Sequence, residues 1–271
     1  MIKRGDFFLE KIAIISDIHG NITALDAVLE DIKKRNINRV FCLGDLVIKC
    51  PTPDLVVDKI RESCDVVLKG NCDDIVVNNC TIPIQFWNRD KLGEGRLEYL
   101  DSLPVSYDFY MSGYLVRLFH ASPYNLDNIY NPMYNNTGRY KDMEIASIED
   151  LFVNTPFIGK TKDDQIPDII GYGHIHTPNL YRHKNKTLFN PGSVGVPMEL
   201  ANLDRSDPLF HLSTLSSYMI LEGDYNSREL GSISFNLIRL PYDVEKEISL
   251  LESSDMPDKE NTINKLKLAT Y

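Results

Sequence analysis

Apolar positions along the chain fall into unbroken short runs and helical stripes, and their alternation predicts an α/β protein. Ile12, Ala13, Ile14 and Ile15 form a run with no polar break, the pattern of a strand covered on both faces. Ile22, Leu25, Val28, Leu29 and Ile32 then recur at the spacing of one buried helix face. Asn21 stands where an N-cap is needed, and Lys33, Lys34 and Arg35 stand where cations favour a helix C-terminus. The alternation continues downstream. Arg39–Leu43 and Asp65–Lys69 read as strands, with a helix over Asp54–Arg61 between them and a largely helical stretch over Asp73–Leu100. Strands alternating with helices predict βαβ units and a parallel start to the sheet.

Further on the pattern changes. Val105–Tyr110 and Tyr114–Phe119 flank Met111-Ser112-Gly113 and predict a hairpin. Ile169 and Ile170 restart the sheet, and Leu188-Phe189 lead into a turn at Asn190-Pro191-Gly192-Ser193. Tyr218–Glu222 and Ser232–Leu240 predict a closing antiparallel pair, followed by a helix over Asp243–Leu251. Residues 124–165, rich in Asn, Tyr and charge, read as a cap-like excursion with a helix near Met143–Val153. The expected organisation is a single domain over residues 1–252, with a loose, polar C-terminal tail over 253–271.

Composition narrows the classes. The chain has 271 residues, 43% of them hydrophobic and 25% charged, which suffices for a sizeable core. Its net charge of −10 speaks against a large nucleic-acid or anionic-membrane surface. No apolar run approaches the ~20 residues of a membrane span, and MIKRGDFFLEK lacks the apolar stretch of a signal peptide. Cys42, Cys50, Cys64, Cys72 and Cys80 contain no C-x-x-C pair and suggest no disulfide framework. A reduced, cytoplasmic protein is the expectation.

Candidate chemistry collects at strand ends. Asp17 and His19 follow the first apolar run, Asp45 the second, Asn71 the third, His120 the hairpin, and His174 and His176 the restarted sheet. A sheet presents such positions on one edge, where open α/β folds keep their ligand sites. Mixed oxygen and nitrogen ligands suit first-row divalent cations such as manganese, iron or zinc. Seven are too many for one ion and enough for two that share a carboxylate. Taken singly, each has a plainer reading as a turn or a strand-end polar group.

Asp17-x-His19-Gly20-Asn21, Gly44-Asp45, Gly70-Asn71-Cys72-Asp73, His120 and Gly173-His174-x-His176 resemble, in order and spacing, the five blocks of the calcineurin-like metallophosphoesterases. Asn190-Pro191-Gly192-Ser193-Val194-Gly195 extends the resemblance to the small bacterial and archaeal branch, which includes phosphodiesterases and dinucleoside tetraphosphate hydrolases. The resemblance implies two packed mixed β-sheets flanked by helices. It implies two divalent ions, manganese first and iron or zinc as alternatives. Asp17, His19 and His176 would hold the first, Asn71, His120 and His174 the second, and Asp45 would bridge. A metal-bridging hydroxide would then hydrolyse a phosphodiester or phosphoanhydride, with a nucleotide such as a dinucleoside polyphosphate as the expected small-molecule substrate.

On that basis Asn71, Asp73 and His120 are the candidate catalytic residues, and Asn71 and Arg139 the candidate substrate contacts. Two departures matter. Many relatives carry a His where this chain has Cys72, so the general acid stays open between Asp73, a metal-bound water and none. The loop after Asp45 reads Val47-Ile48-Lys49-Cys50-Pro51 in place of a Gly-Tyr-Gly-Pro-like turn, and Lys49 can substitute charge for backbone contacts. Arg139, Arg89 and Arg96 read more simply as solvated surface. Tyr124, Tyr130, Tyr134 and Tyr140 suit either stacking on a base or a small core of their own. His183 and His211 read as unrelated to the chemistry. The alternatives are a phosphomonoesterase or protein phosphatase, and a non-catalytic interaction scaffold of the same fold. Oligomeric state has no signature in the chain.

Overall fold

Sheet order in the computed structural model, which describes residues 9–128, 147–161, 163–199 and 211–269, follows from where the buried runs lie. The first half contains β1 (Glu10–Ile15), α1 (Ile22–Lys34), β2 (Arg39–Cys42), α2 (Pro53–Ser63) and β3 (Val66–Val67). Three helices follow, α3 (Asn71–Asn78), α4 (Pro83–Leu92) and α5 (Glu94–Asp101), and then the hairpin β4 (Ser106–Met111) and β5 (Tyr114–Phe119). Beyond the excursion come β6 (Ile169–Tyr172), β7 (Asn179–His183), β8 (Lys186–Asn190), β9 (Met198–Glu199), β10 (His211–Leu212), β11 (Leu215–Gly223) and β12 (Ser234–Pro241). Two helices close the chain, α6 (Val244–Ser253) and α7 (Lys259–Ala269).

Two mixed five-stranded sheets result, in the orders β12-β11-β1-β2-β3 and β4-β5-β6-β8-β7. In the first, β1, β2 and β3 are parallel, and β11 and β12 join antiparallel beside β1. In the second, β5, β6 and β8 are parallel while β4 and β7 flank them antiparallel. The α/β, two-sheet expectation holds.

The β1 run explains the layering. Successive side chains point to opposite faces. Ile12 and Ile14 therefore join the core between the sheets, with Phe41, Leu68, Met219, Val116, Leu118 and Phe189. Ala13 and Ile15 face the other way, into the core that α1, α2, α6 and α7 build on the outer face. Asn21 caps α1 as its spacing predicts, accepting the Ala24 N–H at 2.9 Å. On the far face of the second sheet, fully buried Arg117 makes a bidentate pair with Asp108 at 2.7 Å and donates to Asn154 at 2.8 Å. That pair satisfies the buried guanidinium and ties the foot of the excursion to the sheet.

Some expectations need correction. β7 is a strand that the polar run Asn179–His183 did not announce, because an edge strand needs no continuous apolar face. Of the helix expected near Met143–Val153, residues 143–146 lie outside the described residues, and Ile148–Leu151 is a single 3₁₀ turn. The tail is not loose. In α7, Ile263 and Leu266 are buried, as is Met256 just before it, and all three join the core under α6. Among the described residues no helix is long and apolar enough to cross a membrane.

Candidate metal centre

Every strand-end position singled out above converges at one edge where the sheets meet. His19, on the turn between β1 and α1, donates Nδ1–H to Val47 O at 3.1 Å, and His176, after β6, donates Nδ1–H to Val196 O at 2.7 Å. Both Nε2 atoms then point inward and stand 3.0 Å apart. Asp17 Oδ1 lies 3.3 Å from His176 Nε2 and 3.8 Å from His19 Nε2, and is buried with no hydrogen-bond partner. Asp45 Oδ2 approaches His19 Nε2 at 3.6 Å, and its Oδ1 approaches His120 Nε2 at 3.4 Å. Asp45 therefore belongs to both halves of the cluster.

In the second half, His120 at the end of β5 donates Nδ1–H to Leu43 O at 2.8 Å. Asn71, the first residue of α3, places its amide oxygen 3.0 Å from both His120 Nε2 and His174 Nδ1. Turned over, the same amide would donate to those nitrogens and to Asp45. In either orientation the surroundings are rich in acceptors and poor in donors.

Within the cluster, carboxylates and imidazoles shift one another. Burial raises the Asp17 and Asp45 carboxyls, but His176 beside Asp17 and His120 beside Asp45 hold both well below the usual carboxylate range. Burial lowers His120, yet the charge and hydrogen bond of Asp45 outweigh it and push the imidazole up to about 9. Burial and the charge of His120 push His174 down to about 4. Burial, then the charge of Lys49, keep His19 well below its ordinary value. Divalent cations fit this donor set: carboxylate, imidazole and amide oxygen converge, and each histidine tautomer with a carbonyl partner presents nitrogen inward.

Backbone conformation puts these groups in reach. Asp17, His19, Asp45, His174 and His176 all adopt left-handed φ, between 53° and 67°. For residues other than glycine such conformations persist only where the surroundings over-determine them. The Asn190–Gly195 turn supplies that support at Asp17 and just before His174. Ser193 Oγ donates to Asp17 O at 2.7 Å, Gly195 N donates to Asp17 O at 3.0 Å, and Asn190 Nδ2 donates to Gly173 O at 2.7 Å. Gly70 is required by proximity, since a Cβ there would stand 2.2 Å from both Asp45 N and Asp45 Oδ1.

Asp73 is placed behind the cluster. It is fully buried, and its two oxygens accept the N–H groups of Asp45 at 2.9 Å, Leu46 at 2.8 Å and Gly70 at 2.9 Å. Burial and the charge of Asp45 push it up to about 7, against the pull of the Gly70 and Leu46 N–H groups. Acting as a general acid would require it to abandon backbone contacts that shape the Asp45 turn. Cys72 lies at the cluster with its thiol near His19 and Asp45, and burial pushes that thiol well above its ordinary value.

Other candidates are placed elsewhere or lie outside the described residues. Arg139, Tyr130, Tyr134 and Tyr140 are outside them, as is the side chain of His211. Arg89 donates to Val77 O, Arg96 pairs with Asp58, and Tyr124 donates to Asp150 O. His183 pairs with Glu149 at 2.6 Å. What sequence reasoning placed only loosely is Lys49, whose Nζ reaches His19 Nε2 at 2.9 Å.

Two mixed sheets whose strand ends gather carboxylates, imidazoles and an amide around one point define an α/β fold with a candidate metal centre. The chain belongs to the calcineurin-like phosphoesterase superfamily, whose domain model matches residues 11–206. It is accordingly a metal-dependent phosphoester hydrolase, and the family implies a small-molecule phosphoester as substrate. An uncharacterized protein of Methanocaldococcus jannaschii is 29% identical over 257 residues, 91% of this chain and 94% of that one. Among solved structures, a metallophosphoesterase from Sphaerobacter thermophilus is 23% identical with a TM-score of 0.66, covering 96% of this chain and 99% of that one. A hypothetical protein from Pyrococcus horikoshii is 17% identical with a TM-score of 0.63, covering 96% and 98%. At these identities the two structures speak for the fold.

Proposed function

We propose that the chain hydrolyses phosphoanhydride or activated phosphodiester bonds, with a nucleotide such as a dinucleoside polyphosphate as substrate, at a centre holding two divalent ions. Asp17, His19 and His176 would hold one, Asn71, His120 and His174 the other, and Asp45 both. Manganese suits these oxygen and nitrogen donors, as do iron and zinc. Bound there, the ions would activate a water near neutral pH and polarise the phosphoryl oxygens.

The observation that carries this reading is the shared position of Asp45, within 3.6 Å of His19 Nε2 through one oxygen and 3.4 Å of His120 Nε2 through the other. Each chain residue then has a task. His19, His120 and His176 would hold their tautomers through backbone carbonyls, Asn71 would turn an oxygen toward the second ion and the substrate, and Asp73 would fix the Asp45 turn.

Bond preference follows from how Asp73 and Cys72, the two acids beside Asn71, are held. Asp73 is occupied by backbone N–H groups, and Cys72 is a buried thiol held protonated. Leaving groups that depart without a proton are favoured, and a nucleotide's phosphate, with a second pKa of about 6, is one. Simple alkyl monoesters are disfavoured.

The test is hydrolysis by metal-stripped protein with manganese added back, using bis(p-nitrophenyl) phosphate, a dinucleoside tetraphosphate and an alkyl monoester. The reading expects manganese-dependent turnover of the first two, little of the third, and loss in Asp45→Asn. Preferred turnover of the monoester would overturn it.

A further inference from the structure

Lys49 brings a positive side chain into the first half of the cluster. Its Nζ lies 2.9 Å from His19 Nε2 and 3.3 Å from His176 Nε2, the same nitrogens that face each other across 3.0 Å. Two inward ring nitrogens at that separation need positive charge beside them, and the ammonium, with three donors and no acceptor, serves both.

The loop is built to aim it there. Ile48 and Lys49 both adopt left-handed φ, 68° and 76°. A β-branched residue such as Ile48 rarely accepts that conformation, so neighbouring contacts must impose it. Four of them do. His19 Nδ1 donates to Val47 O, Ile48 N donates to Asn88 Oδ1 at 3.0 Å, Cys50 N donates to His19 O at 2.9 Å, and Thr262 of α7 donates to Lys49 O at 3.3 Å. Asn88 is itself fully buried. An ordinary solvent-facing lysine would need none of this.

Resting on the two-ion reading above, we propose that the Lys49 ammonium is a tethered cation that competes with a divalent ion for the His19–His176 half of the centre. An ion entering that half must take both nitrogens from the ammonium and then lie close to a like charge. No lysine or arginine reaches the nitrogens of His120 and His174 in the other half among the described residues. The two halves therefore load unequally, the Lys49 half last.

The test is calorimetric titration of manganese into metal-stripped wild type, Lys49→Met and Lys49→Gln, with thermal unfolding of each metal-free and metal-loaded form. Wild type is expected to bind in two unequal steps, and both variants to tighten the weaker step by ~10-fold or more. Lys49→Met is also expected to melt lower than wild type without metal, and to gain more from metal. A lysine that merely packed the loop would lower both melting temperatures and leave the affinities alone. Unchanged or weakened affinity of the second step in both variants would overturn the proposal while leaving the two-ion reading intact. Absence of binding to wild type would overturn both.

Discussion

The carboxylate of Asp73 accepts the backbone N–H of Asp45 at 2.9 Å, so one acid shapes the turn that presents the other. Because the same carboxylate also holds Leu46 and Gly70, it joins the strand ends of β2 and β3 in one hydrogen-bonded unit. Replacing it with Ala strips partners from three buried N–H groups. We expect Asp73→Ala to weaken manganese binding by about 10–100-fold. Turnover of p-nitrophenyl and unactivated diesters should fall by the same factor. Selective loss on the poor leaving group would instead identify Asp73 as the proton donor.

Glu247 of α6 is fully buried, neither oxygen has a hydrogen-bond partner in good geometry, and burial pushes its carboxyl up to about 7. Between the unfolded value near 4.3 and about 7, the folded chain holds a proton there that the unfolded chain has lost. Stability from this group is therefore complete below about pH 4, falls as pH rises through that window, and is gone above it. Glu247→Gln should flatten the dependence of melting temperature on pH between about 4.5 and 7 and stabilise the protein at pH 8 by roughly 1–3 kcal/mol. An unchanged slope would show that Glu247 does not titrate in this window.

Ile263 of α7 is 2% exposed and sits in the same core as Ile248 and Leu251 of α6. Truncation to Ala should cost about 2–4 kcal/mol in denaturant unfolding, the range for emptying a packed site. A cost under about 0.5 kcal/mol would mean that α7 adds nothing to the fold.

Much of this architecture is legible along the chain because burial leaves a period. The unbroken Ile12–Ile15 run marks a strand between two covered faces, the stripe from Ile22 to Ile32 marks α1, and the polar residues just past each apolar run mark the functional edge. What stayed hidden has no period. Left-handed φ at Asp17, His19, Asp45, His174 and His176 is imposed by tertiary contacts, such as Ser193 on Asp17 O, that lie far away in sequence. Lys49 reads as a loop charge until Asn88 and Thr262 fix the backbone beneath it. In α7 the apolar positions, Ile263, Leu266, Leu268 and Ala269, cluster at the end of a polar segment and announce a helix only weakly, and packing of Ile263 and Leu266 against α6 decides the matter.

The most direct test of the central claim is the number of ions held. Equilibrium dialysis of the metal-stripped chain against manganese, followed by elemental analysis, should give two ions per chain for wild type and fewer for Asp45→Asn, the residue common to both halves. One ion or none in wild type at saturating manganese would contradict the account.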